Sequence, residues 1–150
     1  MKVNNLLALI TLFFLIQTRL IPHPPNFTPI IAAGIIAGLY SKNFNYSYFL
    51  IIISMFFGDL FLGFHKTMLF TYGALAIPVL MGTRSVKFNN SNLLLMGTIS
   101  SVAFYIITNT GVWAYSGIYD QNINGLILCF VLALPFFGNT ILSTIFTLVV

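Results

Sequence analysis

Charge is what this sequence has least of. Six Lys or Arg and two acidic residues, Asp59 and Asp120, are the whole permanent charge of 150 residues. Soluble domains usually carry about 25% charged residues. A chain with 5% charged and 59% hydrophobic residues therefore excludes a water-soluble fold, and lipid must solvate its apolar surface. Cysteine is nearly absent, and the single Cys129 excludes an intrachain disulfide. Basic runs are absent too: the net charge of +4 is scattered, so no nucleic-acid partner is expected. No nucleophile elbow, Walker loop, Cys pair or HExxH occurs. The expectation is a protein that is not an enzyme and has neither cofactor nor resident metal. No period-two alternation points to a barrel. Lys2 and the apolar run Leu6–Ile16 look like a signal peptide, but Gln17-Thr18-Arg19-Leu20 lacks a small-x-small cleavage site. The segment reads as a retained first span.

What is present is a set of six apolar stretches, at approximately 3–20, 28–41, 46–64, 67–82, 93–114 and 125–150. Backbone groups in lipid must bond internally, which leaves helices. The expected fold is an all-α integral membrane protein, one domain over 1–150, with about six transmembrane helices. A crossing needs about 20 residues for a hydrocarbon core of about 30 Å, so the second stretch is the shortest fit. Thr28-Pro29 reads as a helix start with Thr28 as cap. Asn89-Asn90-Ser91-Asn92 offers caps before span five, and Pro78 and Pro135 should bend spans four and six. Lys2, Lys42, Arg84 and Lys87 fall on one side and Arg19 and Lys66 on the other. By the positive-inside rule both termini are cytoplasmic, in a plasma (inner) membrane.

Polar residues gather in gaps one, three and five, which open on the same side of a six-span bundle. Gap one holds Arg19, His23 and Asn26, gap three Asp59, His65 and Lys66, and gap five follows Asn109, Trp113, Tyr119 and Asp120. Asp59 is the sharpest signal. An unpaired carboxylate at membrane depth costs about 3 kcal/mol, and Arg19, His23, His65 and Lys66 are its candidate partners. It is either a structural ion pair or a ligand contact. His23, His65 and Asp59 could together hold Zn²⁺ or Ni²⁺, but no two share a helical spacing, and solvated loop histidines are the commoner case. Pro22-His23-Pro24-Pro25 is stiff and suits a binding loop or a plain connector. Trp113 fits an interfacial belt or a ring stacked on a ligand. Asn109 and Asn139 in apolar helices usually bond to neighbouring helices. Ala33, Gly34, Ala37 and Gly38 form a small-residue stripe on span two, which serves packing within the bundle or docks another membrane protein.

The length, six spans and polar outer mouth resemble the S components of energy-coupling-factor transporters. The runs Pro22-His23-Pro24-Pro25-Asn26-Phe27-Thr28-Pro29, Gly58-Asp59-Leu60-Phe61-Leu62-Gly63-Phe64-His65, Asn109-Thr110-Gly111-Val112-Trp113 and Pro135-Phe136-Phe137-Gly138-Asn139-Thr140 are closer to a family of small bacterial multi-pass membrane proteins of uncharacterised function. The S-component resemblance implies a high-affinity binder that docks on a transmembrane coupling subunit driven by ATPases. Ala33 and Ala37 match the Ala-x-x-x-Ala docking stripe of those proteins in form, although there it usually lies on the first span. The combined expectation is a small-solute uptake subunit. Its ligand of unknown identity would lie among Arg19, His23, Asn26, Asp59, His65, Asn109 and Trp113, with Asp59 and the histidines on a cationic or hydrogen-bonding group. The alternative is an accessory or assembly protein acting through helix–helix contacts.

Overall fold

A computed structural model describes residues 15–86 and 89–149. Among the described residues all regular structure is helical. The segment 15–20 (α1) is followed by α2 (Ile30–Ser41), α3 (Phe44–Leu62), α4 (Met68–Ala74), α5 (Ala76–Arg84), α6 (Asn90–Tyr115) and α7 (Ile123–Val149). Three of these, α3, α6 and α7, are long and apolar enough to cross a membrane. Ile30–Ser41 and the pair spanning Met68–Arg84 are shorter apolar helices. The expectation of six crossing helices is thus met in length by three, and most of the first stretch lies outside the described residues. At 1.5 Å per residue the twelve residues of α2 reach only about 18 Å, well short of a hydrocarbon core. The outer face is apolar throughout: Leu69, Phe49, Leu95 and Phe146 are all largely exposed, as a lipid-solvated surface requires.

Local chemistry sets the helix limits. Asn43 caps α3 by accepting from the Tyr46 amide, and Asn89 caps α6 by accepting from the Asn92 amide. Lys42 stops α2 in the left-handed region and donates its N–H to the Gly38 carbonyl. The start of α2 falls one residue later than the Thr28 cap expected, with Pro29 in the cap position and no side-chain cap bond. The Thr28 carbonyl instead accepts from Ser143 Oγ of α7. The fourth stretch is two helices divided at Leu75, one turn before Pro78, where proline removes a donor and crowds the preceding carbonyls. Pro135, by contrast, lies within the unbroken α7.

At the centre of the bundle lies α2, with Ile31 and Ile35 packed among Ile51, Leu75 and Val79. Its approach to α5 depends on glycine. A Cβ on Gly82 would stand 2.1 Å from the Ile35 carbonyl oxygen, and one on Gly38 would stand 2.5 Å from that of Val79. Gly34 faces Pro78 and Val79 at 3.4 Å. The glycine half of the small-residue stripe is therefore consumed inside the bundle. Ala33 and Ala37 remain partly exposed. Small hydroxyls join other helices, as Ser47 Oγ donates to the Ala37 carbonyl at 2.9 Å.

Candidate functional site

The chain direction brings the end of α1, the start of α2, the end of α3, the start of α4 and the end of α6 to one end of the bundle. There a cavity of about 640 Å³ opens between the helices. Gap one contributes Arg19, His23, Asn26 and Thr28, gap three His65 and Thr67, and gap five Tyr119. Helix walls add Thr71, Thr108, Asn109 and Thr140, with apolar surface from Ile31, Met55, Phe104, Val112 and Phe136. Five of the seven expected ligand residues, Arg19, His23, Asn26, His65 and Asn109, thus line one space. Asp59 and Trp113 lie outside that lining.

Asp59 is 1% exposed because it sits behind Arg19. Arg19 Nη2 donates to Asp59 Oδ1 at 2.6 Å, and Tyr72 Oη donates to Oδ2 at 2.7 Å. Arg19 Nη1 donates to the Met55 carbonyl at 3.0 Å and faces its sulfur at 3.1 Å. The adjacent Gly58 makes the slot: a Cβ there would stand 3.1 Å from the Cδ, Nε and Nη1 atoms of Arg19. Tyr48 Oη donates to the Tyr72 carbonyl at 3.0 Å, tying α3 to α4 behind the pair. Each carboxylate oxygen thus has a charged or polar donor, so neither buried oxygen is left without a hydrogen bond. Of the four partners considered for Asp59, Arg19 holds the position. Tyr72 and Met55 carried no signal in the sequence, since a tyrosine thirteen residues downstream is ordinary among many aromatics.

The loop ahead of α2 is held from α7. Asn139 Nδ2 donates to the Pro25 carbonyl at 3.0 Å, and Ser143 Oγ donates to Thr28 at 3.1 Å. Asn26 takes a φ of 62°, a left-handed conformation that asparagine tolerates better than most residues. His23 Nδ1 lies 2.8 Å from the Pro24 carbonyl, which can only accept, so this nitrogen carries the proton. His65 Nδ1 bonds to Thr67 Oγ1 at 2.9 Å. Asn109 Nδ2 donates to Tyr105 of its own helix at 2.8 Å. Trp113 Nε1 donates to the Asp120 carbonyl at 3.0 Å, and Gln121 Nε2 donates back to the Trp113 carbonyl at 2.5 Å. The indole secures the α6–α7 turn. Among the described residues no group of three His, Cys, Asp or Glu side chains is assembled that could hold a metal ion.

Chemically, the arrangement offers an arginine, two histidines and several amide and hydroxyl groups in a chamber whose remaining walls are apolar. No curated protein and no solved structure matches the chain. The match that does exist is to a family of unknown function, DUF6580, whose model covers residues 1–150, and the chain belongs to that family.

Proposed function

We propose that this is a non-catalytic integral membrane protein that captures a small solute in the cavity where its three polar gaps meet. The reading takes the two shorter apolar stretches and the first stretch as spans, giving a six-span bundle with both termini cytoplasmic and the cavity facing outward. The observation that carries it is convergence: Arg19, His23, Asn26, His65 and Asn109 come from two connections and two helices far apart in the chain, yet line one space. A volume of about 640 Å³ falls within the about 300–1,000 Å³ usual for small-molecule sites. Its walls combine apolar area with a few polar groups, the composition that orients a ligand while burying most of it.

Within that reading the protein is an uptake subunit similar in operation to an S component, passing its ligand to a transmembrane coupling subunit powered by ATPases. Ala33 and Ala37 would supply the docking face, because Gly34 and Gly38 are already packed against α5. The same packing weighs against an accessory protein that docks through the glycines of the stripe.

The test is mass spectrometry of small molecules that co-purify with the detergent-solubilised chain, repeated on His23→Ala, His65→Ala and Asn109→Leu. One molecule retained by the parent and depleted about tenfold or more, a loss of about 1.4 kcal/mol, in at least two variants is the expected result. Undiminished retention in all three, or no retained molecule together with no binding by any offered solute, would overturn the capture reading.

A further inference from the structure

We infer that the captured solute presents an oxyanion, a carboxylate or phosphate, to Arg19. This inference rests on the capture reading above and names the ligand class of that same cavity.

The argument begins with sign. Among the described residues, no acidic side chain lines the cavity, while Arg19, His23 and His65 do. Asp59 is turned behind the guanidinium with both its oxygens engaged. The arginine is also incompletely used. A guanidinium carries five N–H donors, and the contacts to Asp59, the Met55 carbonyl and the Met55 sulfur engage at most three. No buried side-chain nitrogen or oxygen lacks a partner among the described residues. Arg19 Nε, which makes none of these bonds, is therefore not a sealed unpartnered atom, and the side chain retains 15% exposure while lining the cavity.

Position and rigidity complete the case. The guanidinium is fixed by α3 on its rear edge and by the Gly58 slot along its side. Little side-chain entropy is left to lose when a ligand arrives. A fixed planar fork matches carboxylate and phosphate geometry, which is where arginine outperforms a point charge. Phe104 and Phe136 line the same chamber, so the body carried by the oxyanion is apolar or aromatic. The inferred ligand is an amphiphilic organic anion, with its charged end toward Arg19.

Indole-3-acetate, its amide and tryptamine test this, because they share one ring body and differ in head group. Binding of each to the purified full chain in nanodiscs of neutral lipid is read by titration calorimetry and thermal shift. The expected order is acid over amide by about tenfold or more, with the amine weakest. Arg19→Gln alone strands a buried carboxylate, so the decisive variant is the pair R19Q/D59N, which removes both charges together. It should abolish the preference for acid over amide while the variant still unfolds cooperatively in the thermal-shift assay. Repeating the titration with phosphatidylglycerol in the nanodisc separates two sources of the anion. Competition assigns the site to a lipid headgroup, and its absence assigns it to a soluble solute. Tighter binding of the amine or amide than of the acid, or an unaltered acid preference in R19Q/D59N, would overturn the inference and leave solute capture standing. Failure of all three probes and of every co-purified molecule would remove the capture reading itself.

Discussion

At the end of the bundle where α2 stops and α6 begins, polar groups bond to one another. Lys42 Nζ donates to the Ser85 carbonyl at 2.5 Å, Asn92 Nδ2 donates to Ser85 Oγ at 2.7 Å, and Ser41 and Ser47 share a hydrogen bond. Gly38 and Gly82 close the gap between α2 and α5 below them. At the opposite end the polar groups surround an open chamber instead, with the Arg19–Asp59–Tyr72 network beside it. Both ends obey the rule that polar atoms near lipid must be partnered. They differ in who the partner is. At the closed end Lys42, Asn92 and the Ser41–Ser47 pair bond to carbonyls and hydroxyls of the chain, whereas at the open end an arginine held by a buried acid lines a cavity.

The comparison can be broken most severely at the cavity. Arg19→Ala leaves Asp59 buried without its cation, and loss of one partner of such a pair costs about 4 kcal/mol. Reversible unfolding in detergent should register that drop, and R19Q/D59N should recover most of it. At the closed end, Gly82→Ala forces a methyl against the Ile35 carbonyl, where a Cβ would stand at 2.1 Å. Overpacking of this kind costs about 3 kcal/mol. The same unfolding assay should show the loss, while the affinity of the folded fraction for its ligand stays unchanged. Sharper discrimination comes from Tyr72→Phe, which removes a donor to a buried carboxylate while keeping the ring. Its expected cost is about 2 kcal/mol, and an unaltered melting point would mean that Tyr72 contributes nothing to holding the acid. The smallest effect is expected from Asn139→Ala, which frees the Pro25 carbonyl. A stability loss of about 1 kcal/mol should come with faster protease cleavage within the 22–28 loop.

Much of the helical plan was legible in the sequence. Stretches expected at 46–64, 93–114 and 125–150 are α3, α6 and α7, each displaced by no more than three residues at either end. Long apolar runs with asparagine caps fix their own limits, since both signals are local. The fourth stretch was read as one bent helix, and the division at Leu75 depends on how the turn before Pro78 packs against α2. The candidate site was legible as a set and illegible as an arrangement. Alternate gaps of a helical bundle share an end, so Arg19, His23, Asn26, His65 and Asn109 could be grouped without coordinates. Which cation would hold Asp59 could not be read. Arg19 and Asp59 are forty residues apart, and only the rotation of α1 against α3 selects between Arg19, His65 and Lys66. The partner of Trp113 was illegible for a related reason: one position along α6 decides where a side chain faces, and here the indole reaches the Asp120 carbonyl.

By itself the amino-acid order determined that this chain is helical, apolar on its outside and polar at its connections. Those properties follow from residue solvation and from backbone bonds that close within a few positions. The tertiary structure alone decided that the acid lies behind the arginine, that glycines draw α2 onto α5, and that the arginine lines an open cavity. Each of these depends on helix rotation and close approach between segments far apart in the chain, and no local spacing encodes either.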